Sequence, residues 1–168
     1  MNSWNWQTVV DWESDAEALR RRRYGVIESR AGRCVAVHLR PFPKWLAWPD
    51  FWPVGPTYRA RGEADRFLLY YNQPMGHSNF LAVRYAASTL GTSYTTLRSA
   101  LTALDRLAEL KGTDAMLCDA ANRRISDRLL ARFGWEPHKP QRFHRNFIKR
   151  FYGVYPSCPS ILLSKNGV

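Results

Sequence analysis

Cysteine is scarce in this chain. Cys34, Cys118 and Cys158 lie far apart with no CxxC pair, a distribution that argues against both a disulfide framework and a zinc site and suits a reducing compartment. Histidine offers no metal pattern either: His77, His138 and His144 lack HxxxH or HExxH spacing, so no metal is expected. No run approaches the ~20 apolar residues of a membrane span, and Met1 to Val10 has no basic stretch leading into an apolar one. The expectation is a cytoplasmic protein without a membrane contact. Repeats, low-complexity tracts and Gly/Ser linkers are missing too, so the 168 residues read as one domain, 1–168, of ordinary size.

Acidic residues are the other shortage. The chain has 14 Asp and Glu against 25 Lys and Arg, a formal charge of +11, which predicts attraction to anions such as nucleic acid, phosphorylated cofactors or acidic surfaces without choosing among them. Apolar residues, by contrast, are plentiful at 45%, with 14% aromatic, enough to offset chain entropy without cross-links.

Local patterns order the chain. Asp15 to Arg23 reads as a short helix with Ser14 as N-cap and Gly25 beyond its end. Gly25 to Glu28 and Cys34 to Leu39 read as strands joined by a hairpin turn over residues 30 to 33. Phe67 to Tyr71 and Asn79 to Ala86 are two further strands around a Pro/Gly turn. Between these pairs, Pro41 to Pro56 carries five prolines with Phe42, Trp45, Trp48, Phe51 and Trp52, an irregular aromatic loop that serves as a packing flap or as a wall of an acceptor pocket.

The second half has a clearer period. Leu97, Ala100, Leu101, Leu104, Leu107 and Ala108 follow the i, i+3, i+4 rule of an amphipathic helix over Thr95 to Lys111, stopped by Gly112. Asp114 to Ala120 is a short strand, and a second helix opens at Ala121 or Asn122 and ends at Gly134, with Trp135, Glu136 and Pro137 leaving in extended form. Strands alternating with helices imply a mixed sheet with helices packed on it.

The block from Asn79 to Pro137 resembles the acyl-CoA-binding core of the GNAT superfamily of N-acyltransferases. Its most specific piece runs from Asn122 through Gly134, Trp135 and Glu136 to Pro137 and is similar to that family's asparagine, helix, Gly-Phe-Glu signature, with Trp135 where phenylalanine is usual. The resemblance implies an α/β (α+β) fold: a mixed, mostly antiparallel central sheet with a parallel β-α-β core, here Asn79 to Ala86 beside Asp114 to Ala120, and flanking helices. It implies acetyl-CoA or another acyl-CoA as donor substrate, an amine as acceptor, and a monomer or homodimer. Val83, Arg84 and Tyr85 then lie on the strand that holds the pantetheine arm, and Gly91, Thr92, Ser93, Thr95, Thr96 and Asn122 are the further cofactor-binding residues. The turn keeps only one of the family's glycines, so its hydroxyls take over as phosphate donors, with Arg84 or Arg98 nearby.

N-acyl transfer needs a base for the amine, a donor to the carbonyl and a proton for the leaving thiolate. The candidate bases are Asp119, Glu28 and His38, or a chain of water in their place. The tyrosine that many GNAT enzymes place on the second helix falls here on Leu129 or Leu130, which leaves Ser126, one turn before Leu130, as the candidate donor to the thiolate. Cys118 reads as packing. Two other readings compete: a GNAT-like protein that binds CoA without turnover, and a non-enzymatic module that binds nucleic acid through the basic, aromatic segment from His138 to Tyr155.

Overall fold

The computed structural model describes residues 6–43, 64–120, 125–139, 141–142 and 144–159. Eight strands and three helices are assigned among them: β1 Gln7–Val9, α1 Ala16–Arg21, β2 Tyr24–Arg30, β3 Arg33–Arg40, β4 Arg66–Asn72, β5 Phe80–Ser88, α2 Tyr94–Lys111, β6 Ala115–Asp119, α3 Asp127–Arg132, β7 Glu136–Pro137 and β8 Asn146–Arg150. The strands form one sheet in the order β1-β3-β2-β4-β5-β6-β8-β7. Every pair is antiparallel except β5 with β6. This is the mixed, mostly antiparallel α+β sheet expected from the sequence, with its parallel β-α-β unit made by β5, α2 and β6.

Alternation along the strands gives the sheet two unlike faces. Ile27, Val37, Leu69, Tyr71 and Leu81 point to one side and join Leu19 of α1 and Leu101, Leu104 and Leu107 of α2 in the buried core. Tyr71 lies so close to β2 that a Cβ on Gly25 would stand 2.6 Å from its hydroxyl oxygen, so glycine there is a packing requirement rather than a helix stop. The Ala31–Gly32 turn between β2 and β3 has positive φ at both residues, 48° and 79°, the backbone that matches hairpin twist. No helix among the described residues is long and apolar enough to cross a membrane.

Two helices differ from expectation. α1 starts at Ala16 with Asp15 as N-cap, because the Ser14 hydroxyl bonds to Asp11 at 3.0 Å instead. α3 starts at Asp127, with Ser126 as its N-cap, later than an opening at residue 121 or 122. Asn122 and most of the aromatic loop lie outside the described residues.

The C-terminal basic, aromatic segment is largely structural. β8 pairs with β6 over five residues, Phe147 and Phe151 are buried in the core, and Tyr155 donates to the Thr113 carbonyl at 2.8 Å. Its cations are engaged as well. Lys149 is buried and holds both oxygens of Asp105 on α2 at 2.8 and 2.7 Å. Arg150 pairs with Glu136, and Arg145 with Asp127.

Candidate functional site

The parallel ladder between β5 and β6 is short. It runs from Phe80 opposite Ala115 to Val83 opposite Cys118 and then stops, while β5 continues to Ser88 in its pairing with β4. The stop coincides with a bulge. Tyr70 faces Tyr85 and Tyr71 faces Val83, so Arg84 is an extra residue on β5, and a bulge bends the strand that carries it. Past this point β6 has only Asp119 left, and a cleft opens between its end and the continuing β5. Beyond Val83, β5 pairs with no strand on its β6 side among the described residues.

The gap between them is an apolar cleft with a cavity volume of about 80 Å3. Phe67, Leu69, Val83 and Ala86 form one wall, Leu97 and Leu101 of α2 the floor, and Cys118, Ala120, Ile125, Leu129, Leu130 and Trp135 the other wall. A volume of that size holds a slender chain, well short of the ~300 Å3 at which drug-sized ligands are usually enclosed. Of the residues named from sequence, Val83, Tyr85 and Asp119 line it. Both Leu129 and Leu130 line it too, so the position of the missing tyrosine does face the cleft. Ser126 is not in the lining; it is exposed, and its hydroxyl accepts from the Leu129 N–H at 3.1 Å. Helix capping is what a serine just ahead of a first turn does best, so the site contains no hydroxyl donor from that residue.

At the mouth of the cleft Asp119 is joined by a partner the sequence did not single out. His144 Nδ1 stands 2.6 Å from Asp119 Oδ2. A carboxylate on one ring nitrogen fixes the imidazole and leaves Nε2 for proton transfer. The two residues are 25 positions apart, and only the β6–β8 pairing brings them together, with the Ala120 N–H donating to the Arg145 carbonyl at 2.9 Å. Cys118, beside Asp119, has its thiol pushed up to about 12, by burial first and by the Asp119 charge second; a thiol so protonated is packing and not a nucleophile.

The turn before α2 is already occupied by the chain itself. Asp65 Oδ1 accepts from the Ser93 N–H at 2.6 Å and Asp65 Oδ2 from the Ser93 hydroxyl at 3.1 Å. Ser93 also caps α2 by accepting from the Thr96 N–H at 3.2 Å. The Thr96 hydroxyl accepts from the buried Gly32 N–H at 2.7 Å, and the Thr92 hydroxyl donates to the Arg66 and Thr89 carbonyls. The Thr92, Ser93 and Thr96 hydroxyls expected on a phosphate are therefore committed internally. The N–H groups of Tyr94 and Thr95 donate to no described residue, Thr95 and Arg98 are exposed, and Tyr94 packs on the Phe133 ring with centroids 6.1 Å apart. Gly91 has φ 78° with open space around it; the turn's backbone requires the glycine.

Glu28 and His38 stand elsewhere. By alternation they project from the sheet face opposite α2. Glu28 is buried and accepts from His38 Nε2 at 2.7 Å and from Arg30 and Arg66, each at 2.8 Å. Burial alone would raise its pKa; the hydrogen bonds from His38 and Arg30 and the Arg66 charge outweigh that and hold it at about 2. A carboxylate so tightly held is a poor base, which removes Glu28 from the acyl-transfer candidates. Among the described residues no group of His, Cys, Asp and Glu is placed to hold a metal ion.

No family model, curated protein or solved structure matches this chain. The class that fold and site define is therefore a mixed α+β sheet with an apolar cleft where the parallel β5–β6 ladder ends and a His-Asp pair at its mouth.

Proposed function

We propose that the chain is a divergent GNAT-like N-acyltransferase that takes an acyl group from an acyl-CoA and passes it to an amine. The observation that carries the reading is the end of the β5–β6 ladder after Val83 and Cys118, at a bulge, over an apolar cleft. That shape suits the thioester end of a pantetheine arm: apolar walls take the chain, and the β5 edge past Val83, which pairs with no strand on that side among the described residues, turns backbone N–H groups to its amides and to the thioester carbonyl.

In this reading His144 acts as base. The acceptor nitrogen attacks the thioester carbon, the C–S bond breaks, and the amine proton passes to His144 Nε2 while Asp119 holds Nδ1. The same proton, returned from His144 directly or through water, neutralises the thiolate. Leu130 in place of tyrosine makes this single shuttle necessary, since Ser126 is spent as a cap.

One observation favours the second reading, a GNAT-like protein that binds without turnover. The Asp65 carboxylate sits on the Ser93 N–H, at the positive end of α2, where a diphosphate would otherwise be attracted. Only the Tyr94 and Thr95 N–H groups and Arg98 are left for it. Release of free CoA from acetyl-CoA in the presence of a panel of amines separates the two: turnover that depends on His144 supports the transferase, and binding without release supports the second reading.

A further inference from the structure

The sheet face opposite α2 carries a second cavity, of about 310 Å3, lined by Trp6, Gln7, Thr8, Val26, His38, Arg66, Leu68 and Tyr70. Its walls combine aromatic and aliphatic side chains with a polar row that is already internally bonded. Thr8 Oγ1 is 3.1 Å from His38 Nδ1, His38 Nε2 is 2.7 Å from Glu28 Oε2, and Arg30 and Arg66 both donate to Glu28 Oε1. Both oxygens of Glu28 are thus taken.

The charged capacity left over in the lining is cationic. Arg66 spends its Nε on Glu28, and its terminal amino groups donate to no described residue. Arg40 makes no hydrogen bond to a described residue; its guanidinium is instead held over the rings of Trp6 and Tyr70, at 5.3 and 5.7 Å, and its Nε is buried without a partner. Surplus N–H donors on cations call for an anion, and an arginine fork matches the oxygens of a phosphate or carboxylate. Trp6 and Tyr70 call for a flat apolar body beside that anion. Glu28 meanwhile fixes the direction of Arg66 and so preorganises the site.

We propose that this cavity binds a planar anion, an aromatic or heterocyclic ring bearing one phosphate or carboxylate, with the anion on Arg66 and the ring against Trp6 and Tyr70. The site is independent of the cleft between β5 and β6.

Calorimetry of the full chain with AMP, with indole-3-acetate and with inorganic phosphate tests it, at roughly 150 mM salt, where surface attraction is screened beyond ~8 Å. At least one of the two planar anions is expected to bind at least tenfold more tightly than inorganic phosphate. Arg66→Gln and Trp6→Ala should each weaken it by about tenfold or more, a loss of roughly 1.4 kcal/mol. If Arg66→Gln fails to fold, Leu68→Trp, which fills the cavity without touching a charge, decides the matter by abolishing binding. Filling the other cleft with Ala86→Trp should leave the affinity unchanged. No binding of either planar anion, or binding indifferent to both Arg66→Gln and Leu68→Trp, overturns the proposal.

Discussion

The Asp65 carboxylate and the Ser93 N–H, 28 residues apart in sequence, meet at 2.6 Å and close the N-terminus of α2 from within the chain. The backbone hydrogen bond from Ser93 is the main reason the Asp65 carboxyl titrates below its ordinary range. The contact sets the α2 turn against any incoming diphosphate, because a like charge already sits on the donors.

Asp65→Ala should therefore strengthen CoA binding while weakening the fold. Loss of a capping carboxylate costs about 1 kcal/mol, read as a lower urea midpoint, whereas the freed Ser93 N–H should raise the affinity for CoA severalfold in calorimetry. Weaker CoA binding in the variant would show that Asp65 supports the ligand rather than competing with it.

The Glu28 network predicts a defined acid sensitivity. In the folded protein its pKa is held at about 2, below the ordinary value of 4.5, so its contribution to stability is fully present above about pH 4.5 and is lost as pH falls towards 2. That contribution is roughly 2–3 kcal/mol. Urea unfolding of Glu28→Gln should show a loss of that size at neutral pH and a flatter dependence between those limits.

Asp105 and Lys149 hold α2 to β8 as a buried ion pair. Removing one member strands the other charge, at a cost of about 3–5 kcal/mol. Asp105→Asn should reach that range in chemical denaturation, and the double change Asp105→Leu with Lys149→Met should recover most of it.

The His-Asp pair at the cleft mouth makes a kinetic prediction. His144→Gln should lower CoA release with an amine acceptor by roughly 10²-fold, the usual scale of one general base, without changing acetyl-CoA affinity. Asp119→Asn should have a smaller effect, because it disturbs only the orientation of the ring. Cys118→Ala should retain activity. Turnover that survives His144→Gln undiminished assigns the base elsewhere.

Much of the fold was legible because its signals are local. The 3.6-residue period from Leu97 to Ala108, the αL stop at Gly112 and the Val/Ile-rich hairpin strands all appear within a few residues of where they act. β1 was missed because three residues, Gln7 to Val9, carry no period. β8 is not legible locally because Lys149 points inward and its partner Asp105 lies 44 positions away, so a buried ion pair reads as one more cation of a basic, aromatic segment. The candidate site divided the same way. Val83, Tyr85 and the two leucines follow from the resemblance to the GNAT superfamily and Asp119 from its place late in a strand, while His144, Asp65 and the Arg40–Arg66 face depend on strand pairing that no local spacing encodes. Ser126 was misplaced by one helical start: the helix opens at Asp127, and a serine just outside it becomes a cap.

The most direct test of the account is the thermal midpoint of the protein with and without acetyl-CoA, for wild type and for Ala86→Trp. Ala86 is exposed and lines the cleft, so tryptophan there fills the space between the end of β6 and the continuing β5 at little cost to folding. Ligand that binds only the folded state raises the midpoint by mass action. The account predicts a rise for wild type that grows with acetyl-CoA concentration, and none for Ala86→Trp, with equal midpoints in the absence of ligand. A wild type that acetyl-CoA leaves unmoved, or an equal rise in Ala86→Trp, contradicts it.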